Sequence, residues 1–592
     1  MFETIDQNFI KKILKDRGLN KGETEDFLNP IYIKENGGMY DASKMKDMKL
    51  ALGDIWETIE RNEKIAIYSD YDADGVPGAV VLNSFFKKIK YSHNIIVKIP
   101  HRHKDGFGLH KHLIDELKVE NVKLIITIDL GSSNVKEVEH INSLGMKVII
   151  TDHHEPHDKL PNAFAILNPK QKDCKYPDKN LCGSGVIFKL VHLLIEEARK
   201  RKYNINIGYE KWLLDMVGLA TISDMVPLIG ENRVFAQYGL KVLQKNKRPG
   251  IYHLLNKLKI NERYLDEGDI GFSVSPCINA ASRMSHAIDA FELLSSEDED
   301  VCIKSADALV KLNKLRKSSA DSLISDIKNK INIDKVRDIL VIGDENWSPT
   351  ILGPAASNMV RQFQLPVFLY ASDGGELFRG SCRSIPGVSV VEIMNNVSDG
   401  FFTESGGHHA SGGFSFLADK KDLFESEMRL AFEKYKQYKK DNNIEDVVII
   451  EEMSYNITHN NVDSFLLKHL FQMKPFGMNN PNPLFCIKQV SFSNIKLFGK
   501  QKEHIEFVVK NFLNDKGQLE TVTPELFQNA YKYTSQYNRI DTVKYISFFA
   551  GNELLEVKPD TEYDIYGRVE SSNFLGKKEI RVKVEYINVS SK

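Results

Sequence analysis

Short apolar runs alternate with helix-length segments from about residue 64 onward. KIAIYS (64–69), NIIVKI (94–99), KLIITI (123–128) and KVIIT (147–151) are rich in Ile and Val and have the length of buried strands. The segments between them, such as VPGAVVLNSFFKKI, are long enough for crossover helices. Strands that alternate with helices in this way predict an α/β fold with a parallel, doubly wound sheet.

The pattern changes several times along the rest of the chain. Residues 1–48 are polar with one helical pattern and are interpreted as an N-terminal appendage. Residues 49–296 combine the predicted sheet with a mainly helical extension that begins near residue 186. A long connecting helix is predicted at 297–332, where leucines recur at helical spacing among Lys and Arg. An ordinary packed helix is the alternative interpretation of this segment.

Two further domains are predicted after the long helix. Residues 333–441 have a second, smaller α/β pattern that ends in a charged helix. Residues 442–592 predict a small antiparallel β-barrel of the oligonucleotide-binding (OB) type. Its strand-like runs are VVII, HIEFVV, YISFFA, YDIYGRVE and KEIRVKVEYI. Within it, Phe507, Phe549 and Phe574 suit either stacking on nucleobases or the barrel core.

Size and composition narrow the class of protein. The 592 residues suffice for about three to five domains, and the net charge of −2 argues against a uniformly basic nucleic-acid binder without excluding a local basic channel. No run approaches the roughly 18 apolar residues of a membrane span, and the N-terminus lacks the apolar core of a signal peptide. The six scattered cysteines suit reduced thiols. We therefore expect a cytoplasmic protein with no membrane partner.

Acidic residues follow three of the four predicted strands. DYDADG (70–75) comes directly after the first strand, Asp129 follows the third, and DHH (152–154) follows the fourth. Because α/β sheets bind ligands outside the carboxyl ends of their strands, these groups are expected at one edge. Capping of the following helices explains single Asp residues but not the whole set. Crowded carboxylates together with imidazole predict an Mn²⁺ or Mg²⁺ site.

Other segments give weaker signals. Asp224 follows an apolar helical run and is either a buried helix-terminal Asp or a further ligand of the same site. RGSCRS (379–384) and GGHHASGG (406–413) offer hydroxyl groups, cations and backbone N–H groups, which bind phosphate oxygens, although a Gly-rich loop alone is usually a turn. HRH (101–103) is either a solvated basic loop or a further source of positive charge at the crevice.

Taken in order, the motifs resemble those of a known family. Four of them resemble the motifs of the DHH phosphoesterase superfamily, namely DYDADG, TIDLG, TDHH and the segment at Asp224. Two resemble its associated DHHA1 domain, namely GSCRS and GGHHASGG. Four more resemble its RecJ branch, namely PHRHKDGFGL, INAASRM, PFGMNNPNPLF and GKQKEHIEFVV. The resemblance covers nearly everything from about residue 50 onward. It implies a 5′-to-3′ exonuclease that is specific for single-stranded DNA and acts in recombination and repair.

The resemblance also implies roles for individual residues. The positions expected to bind one or two Mn²⁺ or Mg²⁺ ions are Asp70, Asp72, Asp74, Asp129, His153 and Asp224. The positions expected to take part in catalysis are Asp129, Asp152 and His154. The positions expected to hold DNA phosphates are Arg102, Arg283, Ser381, Arg383 and His408. In a two-ion arrangement Asp129 is expected to bridge the ions, and His154 is expected to stabilise the transition state or protonate the leaving oxygen.

Two positions depart from the pattern of the family. Several members have a metal-binding His where this chain has Tyr68, which leaves the number of bound ions open. RecJ-like segments have Gly before the Arg of the INAASRM motif, whereas this chain has Ser282, so a difference in the local backbone is expected.

Other functions share parts of this pattern. A DHH-type phosphodiesterase for short oligoribonucleotides or cyclic dinucleotides uses the same metal site but needs no OB barrel. An inactive DHH-like scaffold of a replication complex loses metal ligands, whereas this chain keeps the Asp and His positions. A dinucleotide-binding dehydrogenase needs a GxGxxG motif, which does not follow the first strand. The partners that the resemblance implies are single-stranded DNA, single-strand binding protein and a helicase.

Overall fold

The computed structural model divides the chain into two compact units. One unit combines Met1–Asp41, Met225–Tyr238 and Glu452–Lys592, and the other contains Ala42–Asp224 and Gly239–Glu451. The second of these units contains every candidate metal-binding, catalytic and phosphate-binding residue named above. The residues that the structure describes are 3, 5–32, 38–245, 248–331, 338–442, 453–499, 504–513, 519–521, 543–548, 557–558, 561–574 and 577–590.

A five-stranded parallel sheet forms the centre of the larger unit. Its strands are β1 (Lys64–Ser69), β2 (Ile95–Lys98), β3 (Val122–Ile128), β4 (Lys147–Thr151) and β5 (Ala165–Leu167). Their order is β2-β1-β3-β4-β5, and every neighbouring pair is parallel, which confirms the sequence-based prediction. The order reverses between β1 and β3, because the chain continues to opposite sides of β1. A crevice therefore opens at the carboxyl ends of these two strands.

Helices cover both faces of this sheet, so that it is doubly wound. Those that surround it are α3 (Met48–Glu60), α4 (Gly75–Lys88), α5 (Lys111–Val119), α6 (Val135–Ser143) and α7 (Gly183–Lys200). The apolar side chains of α5 and α6 pack on one face, in a core that includes Tyr68 and Ile125. On the other face Gly78 of α4 lies against Ile128 and Ser184, since even a Cβ there would approach both within 3.0 Å.

The region between this sheet and the next is helical, as the sequence predicts. Its helices are α8 (Tyr209–Trp212), α9 (Leu214–Ser223), α10 (Gly230–Leu243), α11 (Pro249–Leu258), α12 (Glu267–Asp269), α13 (Ser275–Met284) and α14 (Ile288–Ser295). A π-helical turn, Ile270–Val274, runs directly into α13. Ser282 lies within α13, where its hydroxyl donates a hydrogen bond to the Asn279 carbonyl oxygen at 3.1 Å.

A single long helix follows. Helix α15 (Glu299–Lys330) has 32 residues and is about 48 Å long, close to the predicted bounds. Its first half packs on α11, α13 and α14, and its last turns pack on α16 (Leu352–Phe363) through Leu323 and Ile327. It therefore connects the first α/β region to the second. No helix in the described ranges is both long enough and apolar enough to cross a membrane.

A second sheet of five strands follows the long helix. Its strands, in the order β6-β7-β8-β10-β9, are β6 (Leu340–Asp344), β7 (Val367–Ser372), β8 (Leu377–Arg383), β9 (Phe402–His408) and β10 (Ser411–Leu417). The pair β6–β7 is parallel and the other pairs are antiparallel. Helices α15 and α16 cover one face, while α17 (Val390–Asn395) and α18 (Lys421–Asp441) contribute to a separate core. This is the second, smaller α/β domain that the sequence predicts.

The C-terminal strands close into a barrel. Among the described residues, the strands and α-helix of this region are β11 (Ser454–Ile457), α19 (Ser464–Phe471), β12 (Leu484–Phe498), β13 (His504–Leu513), β14 (Leu519–Thr521), β15 (Val543–Ser547), β16 (Glu562–Phe574) and β17 (Lys577–Val589). A ring of pairings runs β12-β16-β17-β15-β13 and back to β12. Five strands closed in this way form an OB-type barrel, as predicted.

Some details of the barrel differ from the prediction or lie outside the description. The pair β15–β17 is parallel, so the barrel is not purely antiparallel as predicted, because the chain returns to β17 through the intervening strand β16. Phe507 is buried in the barrel core. The predicted run VVII (447–450), Phe549 and the side chain of Phe574 lie outside the described residues.

The N-terminal helices belong to the barrel's unit. Apolar residues of α1 (Gln7–Asp16), including Phe9 and Ile13, lie in one hydrophobic core with the barrel strands. Arg233 is almost fully buried, and its guanidinium donates to the carbonyl oxygens of Phe27 and Met473 at 2.7 and 3.0 Å and lies 3.6 Å from the centre of the Phe27 ring. Arg233 thus links three stretches of this unit that are distant in the sequence, around residues 27, 233 and 473.

Candidate active site

Loops at one edge of the first sheet bring the acidic motifs together. Residues 70–74 follow β1, Asp129 follows β3 and residues 152–154 follow β4, and these three strands are neighbours. Asp224 joins them as the residue that ends α9. The carboxyl ends of β1 and β3 flank the point where the strand order reverses, which is where such sheets bind ligands. The convergence expected from the sequence is present in the structure.

His153 lies at the centre of a first group of candidate metal ligands. Its Nε2 is 3.1 Å from Asp129 Oδ1, 3.6 Å from Asp224 Oδ2 and 3.7 Å from Asp74 Oδ2. Single ligand atoms of Asp74, His153 and Asp224 all lie within 4.8 Å of one another. The structure therefore places Asp224, whose signal in the sequence is weak, beside the other candidate ligands.

A second group of candidate ligands lies beside the first. Ligand atoms of Asp70, Asp72 and Asp129 lie within 4.8 Å of one another, and so do those of Asp129, His153 and His154. Asp129 thus lies beside both groups of candidate ligands, which fits the bridging role that the family resemblance implies.

Burial and mutual repulsion raise the pKa of these carboxyl groups. The pKa of Asp129 is raised by burial and by the charges of Asp74 and Asp72, and the pKa values of Asp70 and Asp224 are raised for the same reasons. The pKa of Asp74 rises to about 6. Among the described residues, none donates a hydrogen bond to the buried Oδ1 atoms of Asp70 and Asp129. Crowded carboxylates with unused oxygens, beside an imidazole, fit a divalent cation such as Mn²⁺ or Mg²⁺.

The start of helix α7 holds two of these carboxylates in place. The backbone N–H groups of Gly183 and Ser184 donate to the Asp74 carboxylate at 2.6 and 2.7 Å. Gly183 also leaves the space that Asp129 occupies, because a Cβ at position 183 would lie 2.6 Å from Asp129 Cβ and 2.7 Å from its Oδ1. Asp129 itself has a left-handed backbone, with φ of 63°. The geometry of the site thus depends on a glycine that the sequence analysis did not select.

Asp152 positions His154 rather than facing the ligand groups. Its carboxylate accepts hydrogen bonds from the backbone N–H groups of Ser132, His153 and His154 at 2.8, 2.7 and 3.1 Å, and from His154 Nδ1 at 2.8 Å. Burial opposes ionisation of Asp152, but these bonds and the His154 charge lower its pKa overall. Burial also opposes the charge on His154, yet Asp152 raises the pKa of His154 to about 9. The pair therefore holds a protonated imidazole at the edge of the site.

Tyr68 packs in the core of the first sheet, close enough to Asp70 for the charge of that carboxylate to add to the rise that burial causes in the pKa of its hydroxyl. Its side chain is fully buried in the core formed with α5 and α6, and its hydroxyl donates to the Gly108 carbonyl oxygen at 3.3 Å. Burial raises its pKa far above the ordinary value, so the hydroxyl stays protonated. Tyr68 thus fixes the loop between β2 and α5, which carries Arg102 and Phe107, and the ring of Phe107 lies 5.4 Å from that of His154.

Three of the predicted phosphate-binding arginines gather beside the carboxylates. Arg102 lies 4.7 Å from the centre of the Tyr71 ring, and its charge offsets part of the rise that burial and Asp72 cause in the pKa of Asp70. Arg283, on α13, donates to the Thr350 carbonyl oxygen at 3.3 Å. Burial and then the charges of Arg102 and Arg383 lower the pKa of Arg283. Guanidinium groups that repel one another in a buried place are stabilised by an anion, so this cluster suits a phosphate.

The second sheet supplies the rest of this cluster. Arg383 Nη1 lies 3.2 Å from Ser381 Oγ, and a Cβ on Gly353, near the start of α16, would come within 3.1 Å of Arg383 Nη2 and 3.4 Å of Ser381 Oγ. His408 ends β9, and both it and Arg383 pair in register with Ser411 of β10. The side chain of His408 lies outside the described residues, so its predicted contact with phosphate stays a prediction.

Several residues of the site were not selected from the sequence. Asn279 on α13 accepts a hydrogen bond at its Oδ1 from the Ala73 N–H at 3.0 Å, within the DYDADG loop. Gly183 and Ser184 bind Asp74, and Gly353 lies against Arg383. Two signals were available: the INAASRM motif contains Asn279, and the Gly-Ser-Gly segment at 183–185 stands at the start of an apolar helical pattern, where a helix N-terminus offers N–H groups to an anion.

Three family models match the chain in the order of its folded parts. The DHH family N-terminal domain matches residues 64–221, the DHHA1 domain matches residues 333–434, and the RecJ OB domain matches residues 454–522. A parallel sheet with this carboxylate and imidazole cluster, followed by the second α/β domain, defines the chain as a protein of the DHH phosphoesterase class.

Individual relatives of this chain define its family within this class. The single-stranded-DNA-specific exonuclease RecJ of Escherichia coli (strain K12) is 32% identical over 401 residues, which cover 66% of this chain and 69% of the relative. The chain belongs to the RecJ family. RecJ of Bacillus subtilis (strain 168) is 31% identical over 507 residues, which cover 85% of this chain but only 61% of that relative. A crystal structure of RecJ from Thermus thermophilus in complex with Mn²⁺ has the same fold, with a TM-score of 0.73 at 21% identity, covering 98% of this chain and 75% of that one.

Proposed function

We propose that this chain is a divalent-metal-dependent exonuclease that hydrolyses single-stranded DNA from its 5′ end. The observation that carries this proposal is the arrangement of two sites side by side. A cluster of carboxylates around His153 suits a divalent cation, and a cluster of arginines next to it suits a phosphate. Arg102 lies 4.7 Å from the centre of the ring of Tyr71, the residue between Asp70 and Asp72, which places the two clusters close enough for one strand of DNA to contact both.

Membership of the RecJ family supports the substrate of this proposal, and the polarity is what the resemblance of the motifs to the RecJ branch implies. The curated relatives are single-stranded-DNA-specific exonucleases, and the solved relative from Thermus thermophilus binds Mn²⁺. The closed barrel adds support, because OB folds bind single strands through a basic groove and aromatic stacking. A phosphodiesterase for cyclic dinucleotides has no need of such a barrel, and an inactive scaffold has no need of the intact ligand groups.

The chemistry divides between a bound cation and the side chains of this chain. Asp70, Asp72, Asp74, Asp129, His153 and Asp224 would hold Mn²⁺ or Mg²⁺, which when bound would lower the pKa of water and neutralise charge on the phosphoryl oxygens. Arg102, Arg283, Ser381 and Arg383 hold the 5′-terminal phosphate, which fixes the first phosphodiester bond at the carboxylates. Hydrolysis there forms a bond from the water oxygen to phosphorus and breaks the bond to the 3′ oxygen of the terminal nucleotide.

His154 supplies the proton that this leaving oxygen needs. Asp152 holds the imidazole by its Nδ1 atom and keeps it protonated, with a pKa of about 9. Because Asp152 engages Nδ1, the other ring nitrogen, Nε2, is the one that donates its proton to the 3′ oxygen. Since the product strand keeps a 5′-phosphate, the arginine cluster can bind it for the next cycle.

We also propose the cellular setting of this activity. A nuclease that accepts only single strands depends on proteins that unwind and protect DNA, so a helicase and a single-strand binding protein are the expected partners in recombination and repair. The cytoplasm is the expected compartment, since the six cysteines are all free thiols.

The test compares labelled strands. A 5′-phosphorylated single strand labelled at either end, the matching duplex and single-stranded RNA are each incubated with the protein and Mn²⁺ or EDTA. The expected products are mononucleotides released first from the 5′ end of single-stranded DNA in Mn²⁺ alone. Release from the 3′ end, or activity that persists in EDTA, contradicts the proposal, and a preference for short RNA or cyclic dinucleotides favours the small-substrate alternative.

Removing a guanidinium from the arginine cluster should weaken phosphate binding specifically. Arg383→Gln is expected to lower kcat/KM for 5′-phosphorylated strands by about 10- to 100-fold, because a hydrogen bond to a charged group contributes about 1.5–3 kcal/mol. Strands with a 5′-hydroxyl should lose much less. The salt dependence of binding, plotted as log K against log salt, should become shallower by about one unit.

The matched control is Arg429→Gln. Arg429 lies on α18 and forms an ion pair with Glu425 within the same helix. It should leave both the ratio of phosphorylated to hydroxyl substrates and the salt slope unchanged. An equal loss on both substrates in Arg383→Gln would show that this residue does not recognise the terminal phosphate.

A further inference from the structure

The π-helical turn and α13 form one continuous helical segment with a stripe of accessible residues along it. The residues of this stripe are Phe272, Pro276, Asn279 and Arg283, at spacings of four, three and four, and Gly271, Ser273 and Met284 are accessible at its two ends. Between them Val274, Cys277 and Ile278 are fully buried. Side chains at these spacings share one face of a helix, so the four residues of the stripe face the same way.

This stripe passes the proposed site in a fixed order. Arg283 belongs to the arginine cluster, and Asn279 holds the Ala73 N–H between Asp72 and Asp74. One turn further on, the hydroxyl of Ser275 contacts that of Ser223, the neighbour of Asp224 in sequence. The helical segment thus runs from Arg283 past the DYDADG loop and the neighbour of Asp224, and Phe272 lies three residues beyond Ser275 on the same segment.

Phe272 is unusual among the aromatic residues of the described chain in its exposure. Its side chain is 83% exposed, whereas most aromatic side chains of this unit are buried in its cores. Keeping a large apolar ring in water costs free energy, which a flat apolar partner would recover. The ring is also anchored on a helix that is fixed at both the carboxylate and the arginine cluster, so its position relative to them is rigid.

We infer that Phe272 is a stacking residue for a nucleobase of the DNA strand on the 3′ side of the bond that is cleaved. This inference rests on the proposed function, because the order of the stripe gives the strand its direction. The terminal phosphate lies at Arg283, the first phosphodiester lies at the carboxylates, and the following nucleotides reach Phe272. Eleven helical residues separate Phe272 from Arg283, about 16 Å, which a strand spans in at most about five nucleotides.

A nucleobase fits this position better than a protein partner does. At its other end the stripe carries Arg283, within reach of the charges of Arg102 and Arg383, which favours a polyanion along this face. Stacking on an aromatic ring holds successive bases without regard to sequence, as an exonuclease without sequence preference requires. Phe272 would therefore hold the incoming strand in line with the carboxylates.

The test combines substitutions at Phe272 with strands that lack one base. kcat/KM is measured for 5′-phosphorylated single strands that carry an abasic residue at each of the second to fifth positions in turn. With the wild-type chain, one of these abasic residues is expected to lower kcat/KM about tenfold. Phe272→Ala should lower kcat/KM about tenfold on the intact strand. For this variant, removing the base at that position should cause no further loss of kcat/KM. Phe272→Trp should behave as the wild type.

Two controls separate this inference from the proposed function. Tyr438→Ala, at another exposed aromatic residue on α18, should leave every strand unaffected. If the wild-type chain degrades single-stranded DNA but Phe272→Ala matches it on all strands, the stacking role is wrong, and the exposed ring is then a contact for a protein. A uniform loss in Phe272→Ala that leaves the sensitivity to each abasic position intact also overturns it. Failure of the wild-type chain to degrade DNA contradicts the proposed function itself.

Discussion

Asp129→Asn is expected to abolish nuclease activity while making the metal-free protein more stable. Asp129 contacts both groups of candidate ligands, so its loss should lower kcat/KM by at least about 10³-fold, roughly 4 kcal/mol of transition-state stabilisation. Its buried carboxylate also repels Asp74 and Asp72, and asparagine removes that repulsion. Without metal, the free energy of unfolding should rise by about 1–3 kcal/mol.

The stability gain has a defined dependence on pH. A carboxyl group whose pKa is raised in the folded protein destabilises the fold once the pH exceeds its ordinary pKa of about 4. The gain in Asp129→Asn should therefore be larger at pH 8 than at pH 4. Thermal unfolding at both values measures it, with and without Mn²⁺.

The matched control for this substitution is Asp115→Asn. Asp115 is a largely exposed carboxylate that pairs with His140. It should change neither the activity nor the stabilisation by Mn²⁺, which for the wild type is about 2.7 kcal/mol at a metal concentration 100 times the Kd. If Asp129→Asn kept the full stabilisation by Mn²⁺, Asp129 would not be a ligand.

Gly183→Ala is expected to lower activity about 100-fold although it replaces no charged residue. A methyl group at this position would lie within 2.8 Å of three Asp129 atoms, which is closer than real contacts allow. Either Asp129 moves or the start of α7 moves, and the second movement lengthens the hydrogen bond from Gly183 to Asp74. A displacement of about 1 Å in an active site costs about 10²-fold, and the strain should cost about 1–3 kcal/mol of stability.

Gly53→Ala controls for the general effect of the substitution. Gly53 lies inside α3, and a Cβ there would meet nothing within 4 Å. Alanine should stabilise that helix by about 0.5–1 kcal/mol and leave kcat/KM unchanged. Full activity in Gly183→Ala would show that the space beside Asp129 has no bearing on the reaction. A loss of stability with normal activity would show that Gly183 matters for packing and not for the position of Asp129.

The sequence predicted those parts of the fold in which a hydrophobic pattern within one segment is enough to identify the element. Strands β1, β3 and β4 are continuous apolar runs that end in acidic motifs, and α15 is a long periodic segment. Strand β5 was missed because its three residues are too short to show a pattern. The parallel pairing of β15 with β17 was missed because pairing partners cannot be read from the composition of single strands.

The missing parts of the candidate site have a common cause. Asn279 reaches the DYDADG loop across 206 residues of sequence, and Gly183 reaches Asp74 across 109. Neither residue is charged. Asn279 accepts a hydrogen bond from a backbone amide, and Gly183 leaves space for the side chain of Asp129. Asp224 was a weak prediction because α9 before it is apolar on all sides, so no face of the helix indicated a site.

The barrel unit has a consequence for how the chain is made. Its hydrophobic core takes Phe9 and Ile13 from one end of the sequence and the barrel strands from the other. About 440 residues separate α1 from β11. A ribosome adds about 5–20 residues per second, so β11 is synthesised roughly 20–90 s after α1. During that interval the apolar side chains of α1 are exposed to solvent and to chaperones. Translation of the catalytic region is therefore complete before the unit that contains the N-terminal helix can fold.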